Sequence, residues 1–294
     1  MKISVLTPTY NRSKLLNRLY KSLIENAKYD VEIEWLIMDD GSTDDTSKEV
    51  EKFIKENKFD IQYYSQENKG KMEAINNLIG YATGDFIIEC DSDDYFRNNA
   101  FVTIKNSVNE LEEDTYALCY LKYDQNECNI GNLFKEKETT MFDLYFKQGE
   151  DGEKVLVYNA KIRKQFSYEL ENNEKFITEA RMYHKMDLQY KIKCFNEPIM
   201  ICEYQKDGYS KNIIEVFKKN PYGYYQYFKE IFEHDFQGVS LNKRFYAIKH
   251  YILFSVLTKQ TFKESINKLK GNMNKTLFAA VYLLGKVLTK TRFK

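Results

Sequence analysis

Between residues 3 and 96 four short apolar runs alternate with segments of helical period, and this alternation narrows the folds open to the chain more than any other feature. Ile3-Ser4-Val5-Leu6-Thr7 reads as a strand, after which Leu15, Leu16, Leu19 and Leu23 recur at helical spacing. Residues 32–38 form a second strand pattern, followed by a helix marked by Val50, Phe53 and Ile54. Residues 59–64 make a third, Asn68-Lys69-Gly70-Lys71 opens a helix that stops at Gly84, and Phe86-Ile87-Ile88 begins the fourth. Such alternation implies right-handed βαβ crossovers, hence an α/β fold with a mostly parallel central sheet flanked by helices.

In sheets of that kind ligands bind beyond the carboxyl ends of the strands. Strand one runs into Pro8-Thr9-Tyr10-Asn11-Arg12, strand two into Asp39-Asp40-Gly41-Ser42-Thr43-Asp44-Asp45, and strand four into Glu89-Cys90-Asp91-Ser92-Asp93-Asp94. The three carboxylates within residues 91–94 repel one another unless a cation lies between them, which points to a hard divalent ion with oxygen ligands. Taken alone the run is equally a solvated turn before a helix, since Asp and Ser favour turns and N-caps. Sharing an edge with two other polar strand ends tips the reading toward a nucleotide with a metal-bound diphosphate, with helix N-termini supplying amide donors. Asp44 reads as an N-cap rather than a ligand.

Five segments carry a family resemblance: residues 4–12, the run Ile37-Met38-Asp39-Asp40-Gly41-Ser42-Thr43-Asp44, Glu67-Asn68-Lys69-Gly70-Lys71, Ala82-Thr83-Gly84-Asp85 and Asp91-Ser92-Asp93-Asp94. In that order and spacing, over the first third of the chain, they resemble the family 2 glycosyltransferases, inverting enzymes of the GT-A fold, of bacterial cell-envelope or capsule type. The resemblance implies a nucleoside diphosphate sugar as donor, with a UDP-sugar expected. It implies that Thr9 and Asp40 contact the base with Asp39 in support, and that Pro8, Tyr10, Asn11, Arg12, Lys71 and Ser92 belong to the donor site. Asp91 would lie near the ribose, and Asp93 would ligate Mn²⁺ or Mg²⁺. Family members also place an acidic residue at the start of a helix as the base that deprotonates the acceptor hydroxyl. Glu179 matches best, with Glu171, Glu174 and Asp187 as competitors.

The activity implied is transfer of one hexose or N-acetylhexosamine to a hydroxyl acceptor, and the basic amphipathic tail described below suits a lipid-linked or cell-envelope glycan. The chain has no QxxRW run of the kind processive relatives carry, which favours single additions. A metal-dependent nucleotidyl- or phosphotransferase would want a similar sheet, but there is no GxxxxGK[ST] loop. A non-catalytic sugar-nucleotide-binding membrane scaffold is the other alternative.

Residues 1–96 are thus expected to form the nucleotide-sugar-binding half of one GT-A domain, residues 97–210 its acceptor-binding half, and residues 211–294 a basic helical extension. In the second part residues 100–111 read as a helix, 115–123 and 155–158 as strands, and 190–195 and 199–204 as two strands around Asn196-Glu197-Pro198. The turn Asp207-Gly208-Tyr209-Ser210 follows, and the resemblance places Ser210 near the diphosphate. The lone His184 reads as a satisfied residue rather than a metal ligand. An aromatic stripe through Tyr224, Tyr225, Tyr227, Phe228, Ile231 and Phe232 is expected to pack on the catalytic domain.

Net charge is zero, yet residues 241–294 hold twelve cations against Glu264 alone, a net of +11 balanced by −11 elsewhere. Leu241, Phe245, Ile248 and Ile252 line one helical face there, and Leu277, Val281, Leu284 and Leu288 another. Basic amphipathic helices suit an anionic membrane surface and equally a helical subdomain with a solvated basic face, while the lack of any zinc-finger or RNP signature argues against nucleic acid. Met1-Lys2 leads straight into the first strand with no signal-peptide pattern, and the five cysteines include no CxxC pair. A cytoplasmic location is therefore expected, and the membrane-binding reading of the tail would make it peripheral on the inner face of the plasma membrane.

Overall fold

β1 (Lys2–Thr9) buries every side chain after Lys2, and β2 (Glu32–Asp39) every one after Glu32. Burial without alternation means that both faces of the sheet are covered, as a parallel crossover architecture requires. The computed structural model describes residues 1–203 and 212–292. α1 (Ser13–Asn26) and α2 (Thr46–Glu56) follow β1 and β2, and α3 (Lys71–Tyr81) follows β3 (Asp60–Ser65). β4 (Phe86–Glu89) and the short β5 (Tyr95–Phe96) precede α4 (Ala100–Ser107) and β6 (Thr115–Tyr123). Next come β7 (Glu138–Thr139), α5 (Met141–Phe146), β8 (Lys154–Asn159), α6 (Ala160–Arg163), α7 (Ala180–Met186) and β9 (Lys191–Ile201). The remaining helices are α8 (Ile213–Lys219), α9 (Pro221–Glu230), α10 (Leu241–Leu257), α11 (Phe262–Lys268) and α12 (Asn272–Arg292).

The sheet runs β3-β2-β1-β4-β8-β6-β9-β5, with β7 also on β9. Its first four strands are parallel, as the alternation predicts. β8 lies antiparallel between β4 and β6, so the whole sheet is mixed. Tyr20 stacks on Phe53 at 4.2 Å and Trp35 lies beside both, closing the core under α1 and α2. The pair of strands expected at 190–195 and 199–204 is a single strand, β9, which pairs parallel with β6. Its register jumps from Tyr120↔Phe195 to Leu121↔Pro198. A bulge absorbs the Asn-Glu-Pro segment, and Asn196 is held by Phe134 through both backbone N–H (2.7 Å) and carbonyl (3.1 Å). Tyr204 and the 207–210 turn with Ser210 lie outside the described residues.

Contacts divide the chain differently from the boundaries at 96 and 210. Taken over the described residues, 1–140, 150–167 and 189–206 form one compact unit, and 141–149, 168–188 and 207–294 form a second. The middle segments join the C-terminal helices because their polar groups are used there. Asp187 accepts the Met141 and Phe142 amides at the start of α5 (3.1 and 2.8 Å), and Glu174 accepts those of Tyr222 and Gly223 at the start of α9 (2.7 Å each). Arg181 pairs with Glu230 at 2.8 Å, Glu169 at 3.1 Å and Glu171 at 3.3 Å. The aromatic stripe on α9 packs against α10 inside this unit, with Tyr224 on Phe254 at 5.1 Å and Tyr225 on Tyr251 at 5.8 Å.

In α12 the buried positions are Asn274, Phe278, Tyr282 and Thr289, one register away from the expected stripe, and Leu284 and Leu288 are exposed. The cause is Gly285, where a Cβ would come within 2.8 Å of Ile252 Cγ2, so α10 and α12 approach along the glycine face. In α10 Ile248 and Ile252 are buried but Leu241 and Phe245 are exposed.

The Ala82-Thr83-Gly84-Asp85 segment serves the amino-terminal end of β1. Asp85 accepts the Lys2 amide at 2.9 Å, Gly84 N–H donates to Ser4 Oγ at 2.8 Å, and buried Glu34 accepts from Ser4 Oγ, Thr83 N and Thr83 Oγ1 at 2.6–2.8 Å. A Cβ on Gly84 would meet the Ser4 backbone nitrogen at 2.7 Å. Gly84→Ala is therefore expected to cost about 2 kcal/mol of stability. Urea denaturation checks this, and an unchanged midpoint would refute the close-packing argument.

All three histidines belong to the second unit and sit among aromatic rings. His234 stacks on Phe142 at 4.3 Å, His250 on Phe228 at 5.0 Å, and His184 lies 5.6 Å from Phe142. Burial pushes His184 well below its ordinary value, and His234 and His250 down to about 4. The unfolded chain thus binds more protons between about pH 4 and the ordinary 6.5, so stability present above that window is lost as pH falls through it. Thermal melts should show a falling midpoint from pH 7 to pH 4.5, and His234→Phe with His250→Phe should flatten that fall.

Candidate active site

The register sets Thr9 opposite Asp39 and Leu6 opposite Glu89, so β1, β2 and β4 end on one edge. Pro8 is still within β1, facing Met38 of β2. The two loops beyond β1 and β2 are stitched together. Asn11, in the left-handed region at φ 52, donates its N–H to Ser42 Oγ and accepts the Thr43 amide on its Oδ1, both at 2.8 Å. Asp44 joins the helices that follow, accepting from Ser13 Oγ at 2.9 Å and from the Thr46 amide at 3.0 Å, although the N-cap position of α2 falls on Asp45, one residue beyond the Asp44 read from the sequence. Tyr10 is 47% exposed beside this seam.

Asp39 and Asp40 have different surroundings. Asp39 accepts the Ser42 amide at 2.7 Å and the Tyr63 hydroxyl at 2.6 Å. Asp40 accepts Gln66 Nε2 at 2.8 Å and the Lys69 and Gly70 amides at 2.7 and 2.8 Å, so its carboxylate shapes the 66–70 loop. Gly70 permits that loop by taking φ 95. Thr9, 3% exposed, passes its carbonyl to the Asp40 amide at 2.8 Å, while its buried Oγ1 finds no hydrogen-bond partner among the described residues.

Lys71, the first residue of α3, grips both oxygens of Asp91 at 2.7 and 2.8 Å and so joins the loop ordered by Asp40 to the acidic loop after β4. Burial works against the Asp91 carboxylate, but Lys71 outweighs it and holds its pKa below the ordinary range. Ser92 is buried between the two acids. Asp94 is taken out of the cluster by Lys122 of β6, 2.8 Å away and itself 3.3 Å from Glu153. Burial pulls the Lys122 ammonium down, yet these two carboxylates more than reverse it.

Asp93 differs from both neighbours. Among the described residues no other residue donates a hydrogen bond to its carboxylate, and burial together with Asp91 and Asp94 pushes its pKa up to about 6, opposed weakly by Arg12. A half-buried acid short of positive charge, at the mouth of three loops, fits a divalent cation. Among the described residues no three His, Cys, Asp or Glu side chains converge on a metal position, so Asp93 would hold such an ion with oxygens from a ligand or water.

Three cations that shape this loop carry no motif and escape a reading of the sequence. Arg18 of α1 donates to the Asp93 carbonyl at 2.8 Å, lies 4.4 Å over the Tyr95 ring and pairs with Glu203. Lys122 neutralises Asp94. Arg163, fully buried, donates Nε to Glu89 at 2.8 Å at the end of β4 and NH1 to the Phe166 carbonyl at 2.7 Å.

Glu179 belongs to the second unit, at the N-cap position of α7, and is half-buried. The rival carboxylates are committed elsewhere: Glu174 to α9, Asp187 to α5 and Glu171 to Arg181. His184 is 4% exposed in its aromatic cluster, in keeping with a packing residue.

Residues 4–188 match the family model described as glycosyl transferase family 2. The chain is similar to the glycosyltransferase GlyG of Streptococcus pneumoniae serotype 4, 28% identical over 239 residues that cover 74% of this chain and 78% of that protein. It is also similar to the GalNAc(5)-diNAcBac-PP-undecaprenol beta-1,3-glucosyltransferase of Campylobacter jejuni, 29% identical over 180 residues covering 59% and 57%. Among solved structures, residues 1–349 of S. aureus TarS in complex with UDP-GlcNAc superpose with a TM-score of 0.63 at 18% identity, covering 100% of this chain and 91% of that one. At that identity the structural likeness speaks for the fold.

Proposed function

Since the chain belongs to glycosyl transferase family 2, and is an enzyme of GT-A-like fold, we propose that it moves a single hexose or N-acetylhexosamine from a UDP-sugar to a hydroxyl of a lipid-linked or cell-envelope glycan, with inversion. The observation that carries this reading is the acidic loop at the edge shared by β1, β2 and β4, where Lys71 ties Asp91 to the loop ordered by Asp40. The UDP-GlcNAc complex of TarS supports the donor class, and the undecaprenol-linked acceptor named for the Campylobacter enzyme supports the acceptor class. Neither a nucleotidyl- or phosphotransferase nor a non-catalytic scaffold gains support from the family match.

In this reading the base of the nucleotide rests against Thr9, Asp39 and Asp40, the last two held rigid by their amide donors. Pro8, Tyr10, Asn11 and Arg12 border it from the seam after β1, with Ser92 under the acidic loop, and Asp91 takes the ribose. The buried Thr9 Oγ1 offers one unused partner at that end. Lys71 and Arg12 bring positive charge to the diphosphate side. A divalent cation on Asp93, Mn²⁺ or Mg²⁺, would offset the charge that grows on the departing diphosphate. Glu179 takes the proton of the acceptor hydroxyl, whose oxygen attacks the anomeric carbon opposite the leaving group.

A panel of nucleotide sugars tests the proposal, read as thermal stabilisation and as released nucleoside diphosphate, with Mn²⁺, with Mg²⁺ and with EDTA. A UDP-sugar should raise the midpoint and be slowly hydrolysed only where metal is present. Indifference to every nucleotide sugar would overturn the reading. Release of phosphate or pyrophosphate instead would return it to the phosphotransferase class.

A further inference from the structure

The described part of α12 presents two unlike faces. One, built of Asn274, Phe278, Tyr282, Gly285 and Thr289, is turned to α10 and α11; Tyr282 lies 5.0 Å from Phe262, and Gly285 allows the close approach to Ile252. The other is mostly aliphatic, with Thr276 and Thr291 among the aliphatic side chains, and open to solvent. Leu283 is 76% exposed, Leu284 64%, Val287 59%, Leu288 57% and Met273 53%. At about 100° per residue these side chains and Ala280 fall within an arc of about 140°, with the exposed Lys275, Lys286 and Lys290 along one border. Exposed aliphatics gathered on one side of a helix mark a surface that meets a partner.

We propose that this face of α12 docks on an anionic phospholipid surface, the helix lying in the plane of the interface. Charge complementarity selects that occupant. Residues 241–294 carry a net +11, and α12 itself has no acidic residue. A lipid surface bearing negative headgroups accepts the aliphatic arc and the lysine border together. A second copy of the chain set face to face would bring two such borders against each other, at a Coulombic cost. A nucleic acid would use the lysines but leave the aliphatic arc in water, for there is no aromatic platform in the arc on which bases could stack. Insertion across the bilayer is not implied, since among the described residues no helix is long and apolar enough to span one. The proposal is independent of which sugar the enzyme moves.

The full chain is tested by co-sedimentation with vesicles of phosphatidylcholine alone and of phosphatidylcholine mixed with phosphatidylglycerol, with no sugar nucleotide present. Wild type should sediment with the anionic vesicles and remain in the supernatant with the neutral ones. Leu284→Glu with Leu288→Glu should lower the partition at least about tenfold. Lys286→Gln with Lys290→Gln should lower it about fivefold per charge removed. Both pairs should keep the wild-type melting curve, as should the milder pair Leu283→Ser and Val287→Ser, which serves if the acidic pair disturbs folding. Wild type left in the supernatant with both vesicle types overturns the proposal, as does equal binding to both. A dimer that the leucine variants dissociate, seen by light scattering, assigns the face to a second copy instead.

Discussion

Asp93→Ala is expected to lower sugar transfer by about a thousandfold or more while the protein melts no lower than wild type. These two results belong together because of how Asp93 is housed. Its carboxylate receives no hydrogen bond from another described residue and is crowded by Asp91 and Asp94, which with burial push its pKa up to about 6. Removing such a group relieves repulsion in the free protein, so the loss must appear in function alone. Asp94→Ala should behave in the opposite sense. It leaves Lys122, 12% exposed, with only the more distant Glu153, and breaking a buried pair from one side costs about 3 kcal/mol. Transfer rates and melts of both variants, measured side by side, separate a group kept for charge at the reaction from one kept for the fold. If Asp93→Ala retained a tenth of the turnover or more, or unfolded, the cation would have to be sought elsewhere.

Glu179→Gln should reduce transfer by about a hundredfold to ten-thousandfold and leave donor binding untouched. The amide keeps the size and hydrogen-bonding reach of the side chain but cannot take a proton, so the thermal shift given by a UDP-sugar should match wild type. Glu174→Gln is the informative comparison, because Glu174 holds two amides at the start of α9 and its replacement should cost stability before catalysis. Wild-type transfer by Glu179→Gln would remove it from the mechanism.

Much of the first ninety or so residues is legible without coordinates. The apolar runs and helical periods of the first third are local signals, and parallel strands joined by helices have one favoured hand, so a shared edge for Thr9, Asp39 and the acidic loop follows. That Asp44 serves the turn into α2 is legible for the same reason, since it accepts the amide two positions on, though the N-cap itself is Asp45. The later half is less readable because its elements are decided by distant partners. β9 looks like two strands until Phe134 is seen to hold Asn196 in a bulge. That residues 141–149 and 168–188 group with the C-terminal helices is not legible because it rests on distant partners, Glu174 at the start of α9 and Arg181 on Glu230.

By itself, then, the order of residues determined the α/β architecture of the amino-terminal part and the edge where chemistry gathers, because both depend on spacing along a single stretch of chain. Tertiary structure alone decided the charge that surrounds each of the three carboxylates after β4. The resemblance sets Asp93 apart from Asp91 and Asp94, and their surroundings differ because Lys71 from α3 and Lys122 from β6 reach the other two. It likewise decided which side of α12 is buried, since helical period defines a face but the approach of Ile252 to Gly285 chooses which face turns inward.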